Sequence, residues 1–515
     1  MDNSSGRITG MTAIEPKATV AVVGAGTMGQ GIAQVALVAG HRVRLYDTAG
    51  GRAAEAARAI GARLDRLVEK GRLTADARDA ARARLHPAAR LDDLADPALV
   101  IEAILEQLDV KQKLFAELES VVPDDCLLAT NTSSLSVTAV AGALRLPGRF
   151  VGLHFFNPAP LLPLVEVVRG FATDAEAAER AYATVAAWGK TPVRCADAPG
   201  FVVNRIARPF YAEAFRVHEE RAADPATVDA VLRECGGFPM GPFELTDLIG
   251  QDVNEAVTRS VYESFFHDPK FRPSLAQRRL VEAGLLGRKS GRGWYDHTAG
   301  AERPRPRTEE PCEAPRALTV HGRLPRACAV LAEMIREAGI AVTEAPGPDD
   351  DGHLALPGGT ELSLTQGLPA TTELAGTRIH FDLALDYRTC TRIALAPSAT
   401  ASPSDVRAAV GLFQALGKQV SVIGDAPGLI VARTVAMLVD FAEDAVGRGV
   451  ASPEDVDTAM RLGVNHPRGP LEWGRVLGAV WVGQVLRNLH FEYPDGRYAP
   501  SQPLLRRAAV EESLL

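Results

Sequence analysis

TVAVVGAGTMGQGIAQVALVAGHRVRLYD, residues Thr19 to Asp47, reads as strand, glycine-rich turn, helix and strand. Thr19 to Val23 is a β-branched run suited to a buried parallel strand. Gly24-Ala25-Gly26-Thr27-Met28-Gly29 follows at once as a GxGxxG. Gly24 permits the tight turn, Gly26 lets backbone N–H groups approach a pyrophosphate, and Gly29 lets the helix lie close on the strand. The helix from about Met28 to Ala39 points its N-terminus at that phosphate, where its partial positive charge favours an anion. Gly40 ends the helix and His41 to Tyr46 is the second strand. Asp47 closes that strand 18 residues beyond Gly29. An acid there accepts from a ribose 2′-hydroxyl and repels a 2′-phosphate, so it favours NAD over NADP. The bland alternative, a glycine turn that binds nothing, does not account for a strand, a helix and a timed acid together.

The chain has 515 residues, 46% of them hydrophobic, enough for three or four domains with real cores. Its net charge of -8 offers no global attraction to nucleic acid or to an anionic membrane. Six scattered cysteines form no CxxC pair, which argues against a disulfide scaffold or a zinc site and fits a reducing cytoplasm. No apolar run is long enough to span a bilayer. Residues 1–17 read as a flexible extension without an apolar signal segment, and Met11 is an alternative start.

After Asp47 the chain is rich in Ala, Arg, Leu and Glu. Two helices are expected over about 51–85, as an arm inserted before the third strand. The arm carries Arg58, Arg63, Arg66, Lys70 and Arg72. Such charges commonly mark a solvated face; the sharper reading is a patch for a phosphorylated substrate. Leu99 to Ala103 resumes the sheet, with Glu102 and Glu106 at its end. Leu127 to Thr130 leads into Asn131-Thr132-Ser133-Ser134, a polar cluster where open α/β sheets bind ligands and where Ser and Thr also cap helices. Arg149 to Leu153 is a strand followed by His154-Phe155-Phe156-Asn157-Pro158, and Leu164 to Val168 is another with Glu166 inside it. An acid within a β-branched strand needs a partner. Paired antiparallel, the two strands bring His154 and Glu166 face to face, an arrangement suited to a base oriented by an acid.

From Phe201 long amphipathic helices take over, with Asn204 in their first turns. Residues 299–316, dense in proline and charge, read as a linker. The second half then echoes the first at a constant offset of 228 residues: Gly189-Lys190 returns as Gly417-Lys418, Asp197-Ala198-Pro199-Gly200 as Asp425-Ala426-Pro427-Gly428, Arg205 as Arg433 and Asp229 as Asp457. At the chemical positions His154 becomes Asp382, Glu166 becomes Ala394 and Asn204 becomes Ala432. Between them, 317–400 alternates strand-like runs with one helix, Arg326 to Ala338, and has only Gly322 where a GxGxxG would begin. It should bind no nucleotide. The expected fold class is an α/β Rossmann domain (18–199), an all-α domain (200–298), a linker (299–316), a degenerate Rossmann-like domain (317–427) and a second all-α domain (428–515).

GAGTMGQGIAQVAL, NTSSLSV, HFFNP, LVEVV, DAPGFVVNR and GFPMGPFELTD resemble, in order and spacing, the motifs of the L-3-hydroxyacyl-CoA dehydrogenase family. The likeness covers roughly residues 18–298, and DAPG to GPLEW extends it through the second copy. The long form is similar to bacterial members associated with phenylacetate degradation and 3-hydroxybutyryl-CoA metabolism. The resemblance implies NAD-linked oxidation of a 3-hydroxyacyl-CoA to the 3-ketoacyl-CoA. It implies His154 and Glu166 as the catalytic pair, with Ser133 and Asn204 holding the substrate oxygen. It places Gly24, Gly26, Thr27, Met28, Gly29, Asp47, Glu106, Lys111, Asn131 and Asn157 at the cofactor. It puts the CoA moiety near the arm, which makes Arg58, Arg63 and Lys70 candidate substrate contacts, and it implies no metal. Two other readings compete: a dehydrogenase of a free hydroxy or sugar acid, similar to lambda-crystallin, and a non-enzymatic structural protein. Short members of the family pair through their helical domains, so the two helical domains here are expected to pack together as a pseudo-dimer within one chain, with further oligomerisation open.

Overall fold

The computed structural model describes residues 12–347, 351–372 and 376–513. Met11 and most of the N-terminal extension lie outside the described residues. Residues 12–17 are anchored, contrary to the reading of 1–17 as loose: Ile14 is buried in the first core and its N–H donates to Thr184 Oγ1 at 3.0 Å.

The chain forms two compact units, Met1–Asn204 with Arg448–Val464, and Arg205–Gly447 with Asn465–Leu515. The first holds an eight-stranded sheet of order β3-β2-β1-β4-β5-β6-β7-β8. Its strands are β1 (Thr19–Val23), β2 (Arg42–Tyr46), β3 (Leu85–Ala88), β4 (Leu99–Glu102), β5 (Leu127–Thr130), β6 (Phe150–Phe155), β7 (Leu164–Arg169) and β8 (Thr191–Ala196). Every pairing is parallel except β6 with β7. Helices Thr27–Val38 and Ala175–Ala187 contribute Ile32, Ala33, Leu37, Ala181 and Val185 to the same core as β1, β4 and β5. The continuous apolar character of β1 follows from burial on both faces.

The arm comprises helices Arg52–Glu69 and Ala75–Ala83. Between it and β4 the sequence reading missed β3, so the strand taken as third is the fourth. β3 contains Pro87, is largely exposed and sits at the sheet edge beside β2, where a proline is tolerated. Strand β6 also runs two residues further than expected, so His154 lies within the strand rather than after it. Helix Pro453–Gly463, from the second helical repeat, belongs to this unit. It packs on β7 and β8, and Ala196 N–H donates to Val450 O at 2.7 Å.

The second unit holds a seven-stranded sheet of order β10-β9-β11-β12-β13-β14-β15. Its strands are β9 (Ala317–His321), β10 (Ala341–Ala345), β11 (His353–Ala355), β12 (Glu361–Leu364), β13 (Arg378–Phe381), β14 (Arg392–Pro397) and β15 (Gln419–Val422). Strands β13 to β15 repeat the antiparallel-then-parallel pattern of β6 to β8. The expected helix Arg326–Ala338 is shorter, Leu331–Glu337 preceded by a 3₁₀ turn. Residues 299–316 carry almost no regular structure yet are tied down: Glu309 N–H donates to Val420 O and Cys312 N–H to Gln414 Oε1. Helix Arg208–Glu219 packs against Val431–Gly447. Glu213, fully buried between them, accepts from Arg497 Nη2 at 2.5 Å and Tyr498 OH at 2.6 Å, with Arg433 Nε at 3.3 Å. Burial opposes its charge, but Arg497 and Arg433 hold its carboxyl below the usual range.

Candidate active site

The glycine loop is built as its residues require. Gly24 has φ +104°, and a Cβ there would lie 2.4 Å from Ala103 O. A Cβ at Gly29 would lie 1.8 Å from Gly24 O, so no other residue lets the helix sit this close. Gly26 is different: its φ is −73°, and a Cβ would meet no protein atom within 4 Å. Neither backbone strain nor internal packing demands glycine at 26. Close approach of a ligand does, at the start of helix Thr27–Val38 where Thr27 and Met28 form the first turn. Asp47 leans back onto this loop, its Oδ2 accepting Ala25 N–H at 2.8 Å and its Oδ1 Ala49 N–H at 2.9 Å. The residues present fit a dinucleotide.

Beyond β4 lies a buried polar knot. Glu102, fully buried, accepts from Lys111 Nζ at 2.6 Å, Thr130 Oγ1 at 2.6 Å and Ile104 N–H at 2.7 Å. Lys111 also lies 3.2 Å from Glu106. Glu106 gathers the Asn131–Ser134 loop, accepting from Thr132 Oγ1, from Ser133 and Ser134 N–H and from Ser134 Oγ. Burial pushes against its charge, but Lys111 and these donors hold its carboxyl below the usual range. Sequence reading placed Glu102 only at a strand end; an acid closing a strand nine residues before a lysine was the available signal. Asn131 is partly committed as well, since its Oδ1 accepts Phe155 N–H at 2.9 Å and ties the loop to β6.

The antiparallel register pairs His154 directly with Glu166. Residues opposite each other on one face have Cβ atoms about 4.5–5.5 Å apart, close enough for the side chains to join. His154 Nδ1 lies 2.6 Å from Glu166 Oε2, and both side chains are buried. The other oxygen, Oε1, accepts Val202 N–H at 3.0 Å and Val203 N–H at 2.9 Å. Glu166 thus satisfies the first amides of the next helical segment and orients an imidazole. With Nδ1 bound to a carboxylate, Nε2 keeps its lone pair free to accept a proton. Phe156 and Phe201 flank the ring at 4.4 and 5.8 Å. The Ser133 hydroxyl and the half-buried Asn204 amide take no part in these hydrogen bonds.

A cavity of about 340 Å³ lies between the glycine-loop helix, the arm and the loop after β6, lined by Gln34, Arg63, Arg66, Lys70, Arg72 and Asn157 among others. Arg58 is exposed and does not line it. Arg63 donates to neutral partners, Gln34 Oε1 at 3.1 Å and Gln30 Oε1 at 2.9 Å. Burial first and then Arg66 lower its pKa, as expected of a cation short of counter-charge. Four cations converge here with no carboxylate in the lining, a setting for an anionic ligand.

Comparison with known proteins agrees with this geometry. The family model described as 3-hydroxyacyl-CoA dehydrogenase, NAD binding domain, matches residues 19–198. The C-terminal domain of the same family matches twice, over 200–297 and 428–513. The 3-hydroxybutyryl-CoA dehydrogenase reduced Rossmann-fold domain matches 362–427. A 3-hydroxyadipyl-CoA dehydrogenase of Escherichia coli K12 is 44% identical over 96% of this chain and 98% of its own. A 3-hydroxybutyryl-CoA dehydrogenase of Mycobacterium tuberculosis is 43% identical over 54% of this chain and 98% of its own. The crystal structure of 3-hydroxybutyryl-CoA dehydrogenase from Escherichia coli superposes with a TM-score of 0.88 and 43% identity, covering 97% of this chain and all of that one. With a dinucleotide loop, a histidine–carboxylate pair and two copies of one helical module, the chain belongs to the 3-hydroxyacyl-CoA dehydrogenase family and is an NAD-dependent enzyme.

Proposed function

We propose that the protein oxidises the C3 hydroxyl of an (S)-3-hydroxyacyl-CoA to the ketone, in the cytoplasm, with His154 as the general base. The observation that carries this reading is the buried 2.6 Å contact between His154 Nδ1 and Glu166. It orients the ring and leaves Nε2 to take the hydroxyl proton. Glu166 then stabilises the imidazolium by opposite charge without taking the proton itself. Ser133 and Asn204 hydrogen-bond the C3 oxygen. The chemistry that NAD supplies when bound is acceptance of the hydride that leaves C3. Asp47 addresses the adenosine ribose, Lys111 and Glu106 hold the cofactor side of the Ser133 loop, and Asn157 lies beside the cofactor.

The cavity lined by Arg63, Arg66, Lys70 and Arg72 takes the phosphates of CoA. This favours a CoA ester over a free hydroxy acid, which would need no such cluster. The full-length relatives are named for 3-hydroxyadipyl-CoA and 3-hydroxybutyryl-CoA, so both acyl groups are candidates. The test is a panel of short, long and dicarboxylic 3-hydroxyacyl-CoA esters beside free 3-hydroxy acids, read as NADH formation. Turnover of free acids as efficient as of the esters overturns the CoA assignment.

The helical modules of the two halves, 200–298 and 428–515, act as an internal pseudo-dimer. Phe238 and His466, equivalent positions at the 228-residue offset, touch with ring centroids 5.1 Å apart. A residue meeting its own equivalent is what a two-fold axis requires. Arg205 over Phe265 and Arg433 over Tyr493 are likewise the same pair at the same offset. Short relatives cover about half of this chain and nearly all of their own length. A truncation near residue 310 should lose stability or form a true homodimer in sedimentation; a stable, fully active monomer sinks the idea.

A further inference from the structure

Arg208 opens helix Arg208–Glu219 in the first helical repeat and is 6% exposed. Among the described residues its guanidinium makes one hydrogen bond, from Nη1 to Thr258 Oγ1 at 2.9 Å. Thr258, on helix Gln251–Ser264, donates its own proton to Asn254 O at 2.8 Å. The Tyr211 ring lies 5.1 Å from the guanidinium carbon. No carboxylate among the described residues forms an ion pair with Arg208. Burial therefore lowers its pKa, with only the Tyr211 phenol acting the other way.

Nε and Nη2 share one edge of the planar fork, the edge that takes both oxygens of a carboxylate. Arg194 shows that edge in use: its Nε and Nη2 each donate to Glu179 at 2.8 Å. In Arg208 neither nitrogen has a protein partner among the described residues. Nε is buried, whereas Nη2 keeps some access to solvent.

The fold does not require this polar group. At the 228-residue offset Arg208 becomes Ala436, Tyr211 becomes Val439, Asn254 becomes Val482 and Thr258 becomes Leu486. All four are fully buried, so the equivalent helices Val431–Gly447 and Ala479–Glu492 pack with hydrocarbon at these places. A buried cation without a carboxylate is costly, and only the half that keeps the candidate catalytic residues carries it.

Asn204 stands four residues earlier, in helix Val203–Ile206, and Ala207 joins the two helices with right-handed helical backbone at φ −74° and ψ −11°. Residues four apart share a helix face, about 6 Å apart along the axis, and a helical side chain leans back over the preceding turn. From this juxtaposition we propose that Arg208 receives the terminal carboxylate of a dicarboxylic 3-hydroxyacyl-CoA, and so selects an acid-ended acyl chain over a plain alkyl one.

The inference rests on the C3 oxidation proposed above, with Asn204 at the C3 oxygen, and it decides between the acyl groups left open there. In a six-carbon dicarboxylic acyl group three carbon–carbon bonds separate C3 from the carboxylate carbon, roughly 4 Å when extended. That length matches one helical turn closed by an arginine side chain. A butyryl group ends one carbon beyond C3 and brings no charge to the guanidinium. Thr258 holds Nη1 and Tyr211 lies beside the guanidinium, so the Nε–Nη2 edge is oriented before substrate arrives.

The test compares two esters of equal length on the full-length enzyme, (S)-3-hydroxyadipyl-CoA and (S)-3-hydroxyhexanoyl-CoA, read as NADH formation. The wild type should favour the dicarboxylic ester in kcat/KM by about tenfold to a hundredfold, the scale of charged hydrogen bonds. Arg208→Leu should bring that ratio to about one. Arg208→Lys, a charge without the fork, should leave it in between. The ratio is taken on one preparation, so incomplete folding cancels, and a merely structural arginine would lower both substrates alike. Calorimetry with adipyl-CoA and hexanoyl-CoA, which lack the C3 hydroxyl, separates binding from chemistry; the wild type should bind adipyl-CoA more tightly. Equal wild-type affinity for these two ligands, or an Arg208→Leu protein that keeps the wild-type kcat/KM ratio, overturns the proposal and leaves C3 oxidation standing. Tighter binding of adipyl-CoA with no NADH from either hydroxy ester overturns C3 oxidation and leaves the carboxylate receptor standing. The wild-type titrations decide even if neither variant folds.

Discussion

Strands β6 and β7 of the first half and β13 and β14 of the second solve the same problem with the acid on opposite strands. In each half a helical segment starts just after the Asp-Ala-Pro-Gly turn, and its first amides need an acceptor. In the first half the acceptor is Glu166, on β7, reaching Val202 and Val203 N–H. In the second it is Asp382, just beyond β13, at the position equivalent to His154. Asp382 accepts from Ile430, Val431 and Ala432 N–H at 2.8–3.0 Å, while Ala394 stands where Glu166 would be. Two of the amides capped, those of Ile430 and Val431, are the equivalents of Val202 and Val203 at the 228-residue offset. A carboxylate one strand away leaves room for an imidazole in between. A carboxylate on the near strand caps the helix directly and takes the place of the imidazole. Capping is therefore the part of this constellation that both halves keep, and under the proposed function the chemistry comes from where the acid is placed. A pair of equivalent lysines, half-buried Lys190 and buried Lys418, makes the same point. Lys190 Nζ donates to Ala159 and Leu162 O, and Lys418 Nζ to Arg388 and Cys390 O, so each clamps the carbonyls of a loop in its own half.

The largest effect expected breaks the first half alone. His154→Ala should lower turnover by about two to four orders of magnitude while NAD titrates as before, because the glycine loop is untouched. The double change His154→Asp with Glu166→Ala imports the arrangement of the second half. It should keep the fold, by circular dichroism and thermal melting, and abolish activity. Near-normal turnover in either protein removes the dyad from the mechanism.

Next in size, Asp382→Ala leaves three buried amides without an acceptor. It should destabilise the second unit by about 2–4 kcal/mol in denaturant titration while kcat per folded molecule holds. A variant as stable as wild type refutes the capping role.

Asp382 also predicts a pH dependence. Burial raises its pKa from 3.8 to about 6, against the hydrogen bonds from Val431, Ala432 and Ile430. The folded state then binds the proton more tightly than the unfolded chain. The associated stability is fully present below about pH 4 and is lost as pH rises through about 6, by about 2–3 kcal/mol at most. Asp382→Asn should flatten that slope. A wild-type stability that rises over this window relative to the variant contradicts the assignment.

The smallest effect concerns the cofactor. Asp47→Ala should lower the preference for NAD over NADP by about tenfold to a hundredfold. The second half has only Gly322 where the loop would begin, so calorimetry should find one NAD per chain. Equal use of NADP by the wild type, or a second site of similar affinity, defeats these two readings in turn.

Much of this protein is local and therefore legible along the chain. The strand–GxGxxG–helix unit, the timing of Asp47 and the offset between the halves depend on residues close in sequence or on exact recurrence, and the sheet and the family follow from them. The facing of His154 and Glu166 was legible as well, since two adjacent strands have few ways to pair. What only the tertiary structure decided is which polar group satisfies which. Glu106 binds the Ser133 loop rather than standing free, Glu102 sits at the centre of the lysine site, and β3 forms despite Pro87 because an edge strand tolerates it. Of the basic arm, Arg63 and Lys70 line the cavity and Arg58 does not. Helix periodicity alone does not choose among charges on a polar face. The meeting of Glu213 and Arg497 left no trace in spacing at all. Such partners lie far apart along the chain, and they are joined because burial forces each polar atom to find an acceptor or donor wherever the packed sheets happen to bring one.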